Sequence, residues 1–128
     1  MKRTSYSISC SDKVLRMLGD LHFISVNKKI AKKDVSTLLV DGVLEAGTLL
    51  NAECKPVTTT ATESDAAFIV YQDIDFNNLI NLDGAGKEDE QTMNVPVLIH
   101  GAVYKDQVKL DSTNGAVEMK AMPMIYFG

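Results

Sequence analysis

The chain has 128 residues, enough for one domain with its own core, and its 45% hydrophobic and 23% charged content is that of a globular protein. No stretch approaches the roughly 20 apolar residues of a membrane helix, and the N-terminus lacks the apolar centre of a signal peptide. These features predict synthesis in a cytoplasm, with no membrane insertion and no secretory export.

The net charge of −4 conceals an asymmetry. Residues 1–33 carry eight Lys and Arg against Asp12 and Asp20, whereas the remaining residues carry five basic and fifteen acidic side chains. A basic arm on an acidic body predicts that the two parts meet different surroundings. Cys10 and Cys54 do not make a disulfide framework and read as reduced, partly buried thiols.

In chain order, residues 4–10 alternate polar and apolar, with Tyr6 and Ile8 among the apolar positions, and predict an edge strand. Ser11 is placed to cap a short helix carrying Val14, Leu15, Met17 and Leu18, with Gly19 as its stop. A β-rich run follows at 21–26, then a basic stretch with Lys28, Lys29, Lys32 and Lys33. Residues 35–40 read as a strand entering a hairpin at Asp41-Gly42, a strong two-residue turn signal. Residues 46–50 continue as turn and strand, and the Thr-rich 56–65 reads as ribbon or surface loop.

Residues 66–74 predict a central strand, apolar on both faces. An acidic excursion covers 77–92. Strand returns over 93–110, interrupted at Gly101 as a bulge or sharp bend would interrupt it. Residues 111–115 predict a turn with Asn114-Gly115 at its tip. The Met-rich 116–128 reads as an edge strand or extended tail, because Pro123 cannot donate to a ladder.

Catalytic and ligand motifs fail one by one. Asp73, Asp75 and Asn77 start like a calcium loop, but the sixth position is Asn78 rather than Gly, and the twelfth is Gly84 rather than Glu. Gly84 and Gly86 lack a third glycine at dinucleotide spacing. His22 and His100 have no paired ligand spacing for zinc, and nothing local aligns Cys10 or Cys54 with His100 as nucleophile and base. No enzyme activity, metal or cofactor is expected. The lysine cluster has three readings: a solvated edge that discourages aggregation, a protein-docking surface, or a phosphate contact. The acidic body and the lack of an interleaved aromatic platform disfavour nucleic acid. A carbohydrate or small-molecule module is disfavoured in turn, because the chain has no Trp and only eight Phe and Tyr to line a cleft.

Three segments carry a resemblance: Asp41-Gly42-Val43-Leu44-Glu45-Ala46-Gly47-Thr48-Leu49-Leu50, Ala67-Phe68-Ile69-Val70-Tyr71-Gln72-Asp73-Ile74-Asp75, and Val95-Pro96-Val97-Leu98-Ile99-His100-Gly101-Ala102-Val103. An Ala-Gly-Thr turn, an apolar strand ending in Asp-apolar-Asp, and a later strand with Gly-x-Val resemble the bacteriophage head-decoration, capsid-stabilising family similar to the lambda decoration protein D. The resemblance covers roughly residues 38–110. It implies a β-clip or β-tulip body, often a homotrimer, bound to the major capsid protein on the outer surface of the virion after synthesis in the bacterial host cytoplasm. Members commonly use a terminal arm to add a strand to the capsid protein.

The expected fold is therefore mainly β: a small β-clip/β-tulip-like single domain with short strands, one short N-terminal helix and extended termini. It divides into a basic arm with the helix (1–33), a β-rich decoration body (34–111) and an apolar C-terminal strand or tail (112–128). The expected capsid or subunit contacts are Tyr6, Ile8, Lys28, Lys29, Lys32, Lys33, Met124, Tyr126 and Phe127. The alternative functions are another phage structural part (tail, neck or head fibre) and a small nucleic-acid-binding protein.

Overall fold

The computed structural model describes residues 15–16, 23–77 and 92–128. In chain order it contains β1 (Ile24–Ala31), α1 (Lys32–Val35), a 3-10 turn (Ser36–Leu38), β2 (Val43–Leu44), β3 (Leu49–Asn51), β4 (Ala66–Val70) and β5 (Ile74–Asp75). After them come β6 (Thr92–Val103), a second 3-10 turn (Lys105–Gln107), α2 (Gly115–Ala121) and β7 (Ile125–Phe127). The protein is a small, mainly β single domain with two short helices. Its main sheet runs β1-β6-β4-β3 with antiparallel neighbours, β7 joins β6 in parallel, and β2 pairs with β5 in a separate ribbon.

Twelve residues long, β6 organises the rest because side chains alternate across a strand. Val95 and Val97 are fully buried in one apolar cluster with Ile30, Val35, Leu44, Leu50, Val70 and Phe76. Leu98 and Val103 enter the other, with Leu15, Leu49, Ile69, Met122 and Ile125. The sheet thus has a core on each face, as the two-sided apolar character of residues 66–74 predicted. Burying a Val, Leu or Ile side chain is worth about 1.5–3 kcal/mol, so the two clusters dominate stability.

Several local expectations hold. Val40 and Val43 exchange backbone hydrogen bonds at 2.9 and 3.0 Å around Asp41 (φ 53°) and Gly42 (φ 80°), the positive-φ pair of a tight hairpin turn. At Gly101 (φ 151°) β6 passes from β1 to β7, and a register slip lies just before it: Ile24 faces His100 while Ser25 faces Leu98. Residues 56–65 form a ribbon, with Thr59 bridging Ser64.

Others are corrected. Residues 35–40 are not a strand: Val35 closes α1, the 3-10 turn follows, and Val40 alone bridges. Complete burial of Val35 in the second cluster outweighs its β propensity. The strand expected over 66–74 stops at Val70. Tyr71 N–H donates to Pro96 O at 2.9 Å, but Pro96 has no N–H to return, so the β4–β6 ladder ends there. Ile74–Asp75 then pairs with β2. The strand expected over 93–110 ends at Val103.

The C-terminal segment is not wholly extended. Asp111 Oδ2 accepts from the N–H groups of Thr113 and Asn114 at 3.1 and 2.7 Å, which makes the turn expected over 111–115, but the turn leads into α2 where an extended segment was expected. The buried Glu118 accepts from Asp111 N–H (2.6 Å) and Thr59 Oγ1 (2.7 Å), tying the helix to the ribbon. The last strand, β7, is an edge strand as expected. At the N-terminal end Leu15 and Arg16 are not helical: Arg16 bridges Val103, and Leu15 O accepts Tyr104 N–H at 2.9 Å. The rest of the expected helix, and the expected strand at 4–10, lie outside the described residues. The sheet also runs through residues 24–31, with Ile30 buried, so the body starts upstream of residue 34.

The Gly42 turn generates a test. A Cβ there would sit 2.0 Å from Asn77 Oδ1, displacing the side chain whose Nδ2 donates to Asp41 O at 2.8 Å. Gly42→Ala combines positive-φ strain with loss of that hydrogen bond, and destabilises by about 1–3 kcal/mol in urea unfolding. An unchanged midpoint would contradict this account of the turn.

Candidate docking surface

The structure divides the expected contact residues between two surfaces. Lys28 and Lys29 lie on β1 and Lys32 and Lys33 open α1, whereas Met124 precedes β7 and Tyr126 and Phe127 lie within it. Lys28 is opposite Val95, while Gly101 N–H donates to Met124 O. Six residues of β6 therefore separate the two groups, about 20 Å along a strand. Tyr6 and Ile8 lie outside the described residues.

The first surface is a strand edge. Among the described residues β1 is the terminal strand of the main sheet and pairs with β6 alone. Because Pro96 O points toward β4, the alternation of a strand turns Val95 and Val97 toward β1. Their partners Lys28 and Val26 are then the ladder-bonded residues of β1. The N–H and C=O groups of Ser25, Asn27 and Lys29 point outward. Lys28, Lys29 and Lys33 have no ion-pair partner among the described residues. The Lys28 ammonium lies 5.2 Å from the centroid of the Phe68 ring, a cation–π distance.

The second surface is apolar. Ile125 is buried, so its neighbours Met124 and Tyr126 face outward, 60% and 66% exposed. Tyr126 is paired with Ala102 of β6. Across β6, Ile24 is opposite His100 and 52% exposed. The strands on either side of β6 thus present large exposed apolar groups near His100 and Ala102, at one end of the sheet. Phe127 differs from its neighbours: it is half-buried and packs on the first cluster. Sequence reasoning missed Ile24, because a β-rich run gives no sign of which end the sheet leaves uncovered. Beside it, Phe23 stacks on Tyr71 (centroids 5.7 Å apart), and the Arg16 guanidinium carbon lies 3.7 Å from the Phe23 centroid.

The motif-bearing side chains serve the fold. Asp73 Oδ1 accepts Ala46 N–H at 2.7 Å, and Gly47 N–H donates to Val70 O at 2.8 Å, which joins the Ala-Gly-Thr turn to the end of β4. Asp75 Oδ1 accepts Asn77 N–H at 2.7 Å. Lys109 pairs with Glu45, and its N–H donates to Gly47 O at 2.9 Å, adding a third attachment. Among the described residues no group of three His, Cys, Asp or Glu side chains is arranged to hold a metal, and no helix is long and apolar enough to cross a membrane. A hollow of about 550 Å³ beside Tyr104, Val108 and Gly128 has Lys105 and Asp106 as its charged lining. Both are exposed, unlike the convergent polar groups of a ligand site.

Cys54, a free thiol in a positive-φ turn (φ 61°), is half-buried. Burial pushes its pKa up, and the positive charge of Lys28 opposes that rise. Comparison of the chain with family models, curated proteins and solved structures found no match.

The thiol reports directly on the lysine edge. A raised pKa means less thiolate at a given pH, so in a Cys10→Ser background Cys54 alkylates more slowly at pH 8 than in the unfolded chain. Lys28→Met removes the opposing charge and slows the reaction further. An unchanged or faster rate in that variant would break the proposed electrostatic link.

Proposed function

We propose that the protein is a non-enzymatic virion structural protein that binds the outer surface of a phage capsid and stabilises the shell. The observation that carries the reading is the exposed apolar strip of Ile24, Met124 and Tyr126 at one end of the sheet. We take these exposed side chains, on the two strands that flank β6, as one interaction surface of the kind that larger apolar patches mark on small proteins. The resemblance of residues 41–50, 67–75 and 95–103 to head-decoration proteins supplies the identity of the partner. Those segments meet where the Ala-Gly-Thr turn joins β4 and β4 joins β6. The three segments that carry the resemblance thus lie together in one unit of this chain.

On this reading the strip docks on the major capsid protein or on neighbouring copies in a homotrimer around local threefold positions. Many weakly bound copies acting on one closed shell then stabilise it through multivalency.

Co-sedimentation with mature and immature shells of the phage encoding the protein tests this. The expected outcome is saturable binding at a fixed copy number per capsid protein. Replacing Met124 and Tyr126 together by Ser removes burial worth about 1.5–3 kcal/mol per side chain, a loss of tenfold or more in affinity at about 1.4 kcal/mol per decade. Absence of binding to both shell forms overturns the capsid assignment.

A further inference from the structure

We infer that the outer edge of β1 is a receptor for an acidic, extended polypeptide segment, which it binds as a fifth strand added beside β1 in the β1-β6-β4-β3 order. The inference rests on the edge itself. If the capsid reading holds, the segment belongs to the shell, but the edge makes the same demand on any partner.

The backbone geometry of β1 suits it to receive a strand. From Ser25↔Leu98 to Ala31↔Thr92 the register is unbroken, so β1 offers a regular template. Its outward N–H and C=O groups at Ser25, Asn27 and Lys29 have the period of an antiparallel ladder. An incoming strand satisfies them in the way that peptides extend other exposed sheet edges.

The charge around β1 favours an acidic strand. Lys28 and Lys29 project to opposite faces of β1, and Lys32 and Lys33 follow at its end in α1. A peptide strand on this edge therefore has lysine above it and below it. Lys28, Lys29 and Lys33 lack carboxylate partners among the described residues, so their charges are available. Like charges opposed across a ladder are destabilising and opposite charges stabilising. The same lysines thus turn away the identical edge of a second copy and admit a strand rich in Asp and Glu. Edge lysines usually block all pairing; here they select the partner. Nucleic acid satisfies the lysines but has no backbone N–H and C=O alternation to match the outward groups of β1.

The test uses the full chain and an end-capped peptide of about seven residues alternating Glu and Val, a length that matches the regular register. Binding is followed by fluorescence anisotropy, and its location by amide hydrogen exchange of the bound protein. The expected result is saturable binding that protects the amides of Asn27 and Lys29. Reversing Lys28→Glu and Lys29→Glu together weakens it roughly tenfold or more, and added salt weakens it in the wild type. Asn27→Pro deletes one outward N–H without touching the ladder to β6, a substitution edge strands tolerate, and should weaken binding while leaving the unfolding midpoint unchanged.

The inference is overturned by any of four results. They are no binding of the Glu–Val peptide, equal binding of a Lys–Val peptide, binding without protection of Asn27 and Lys29, or equally tight binding of a polyanion without peptide groups, such as poly-dT, at matched charge. Because no shell is present, these outcomes leave the capsid reading to its own co-sedimentation test.

Discussion

One strand must bury both of its faces and still hand its neighbours from one end to the other. That constraint falls on β6. Val95 and Val97 point into one core and Leu98 and Val103 into the other, and β1, β4 and β7 all depend on β6 for their hydrogen bonds. Two residues within it set the topology. Pro96 stops the ladder with β4, releasing the chain at Tyr71 so that Asp73 can reach back to Ala46. Gly101 takes a backbone conformation that other residues rarely adopt, and there β6 exchanges β1 for β7.

The two exposed surfaces follow from this arrangement. Past Gly101 the second cluster no longer covers its face, and Ile24, Met124 and Tyr126 are left outside. Toward Thr92, β6 carries β1 as the last strand of the sheet, and the lysines mark that edge. A small domain with two cores has little further apolar material to close its borders. The borders are therefore where partners are expected, one surface apolar and the other charged.

Much of the fold was legible in the residues. Asp41-Gly42 announced its turn because only a narrow set of residues tolerates two successive positive φ values. The two-sided apolar run read over 66–74 announced a buried central strand, which the structure ends at Val70. Gly101 was legible as an interruption. What stayed hidden depended on contacts distant in sequence. Val35 is helical because the core takes its side chain, and α2 exists because Asp111 turns the chain and Glu118 finds Thr59 and Asp111. Pro96 sat inside an apparently uninterrupted run, and its effect falls on β4 rather than on its own strand. Of the site, Lys28, Lys29, Met124 and Tyr126 were identified by residue type. Their separation onto two surfaces, and the exposure of Ile24, required the register.

At the centre of this account, β6 holds an edge strand whose outer side no described residue covers. Residue-resolved hydrogen exchange of the free protein tests it most directly. The account predicts alternation along β1: slow exchange at Val26, Lys28 and Ile30, which bond to β6, and fast exchange at Asn27 and Lys29, which face outward. Uniform protection through residues 25–30 would contradict it, because the edge would then already be covered.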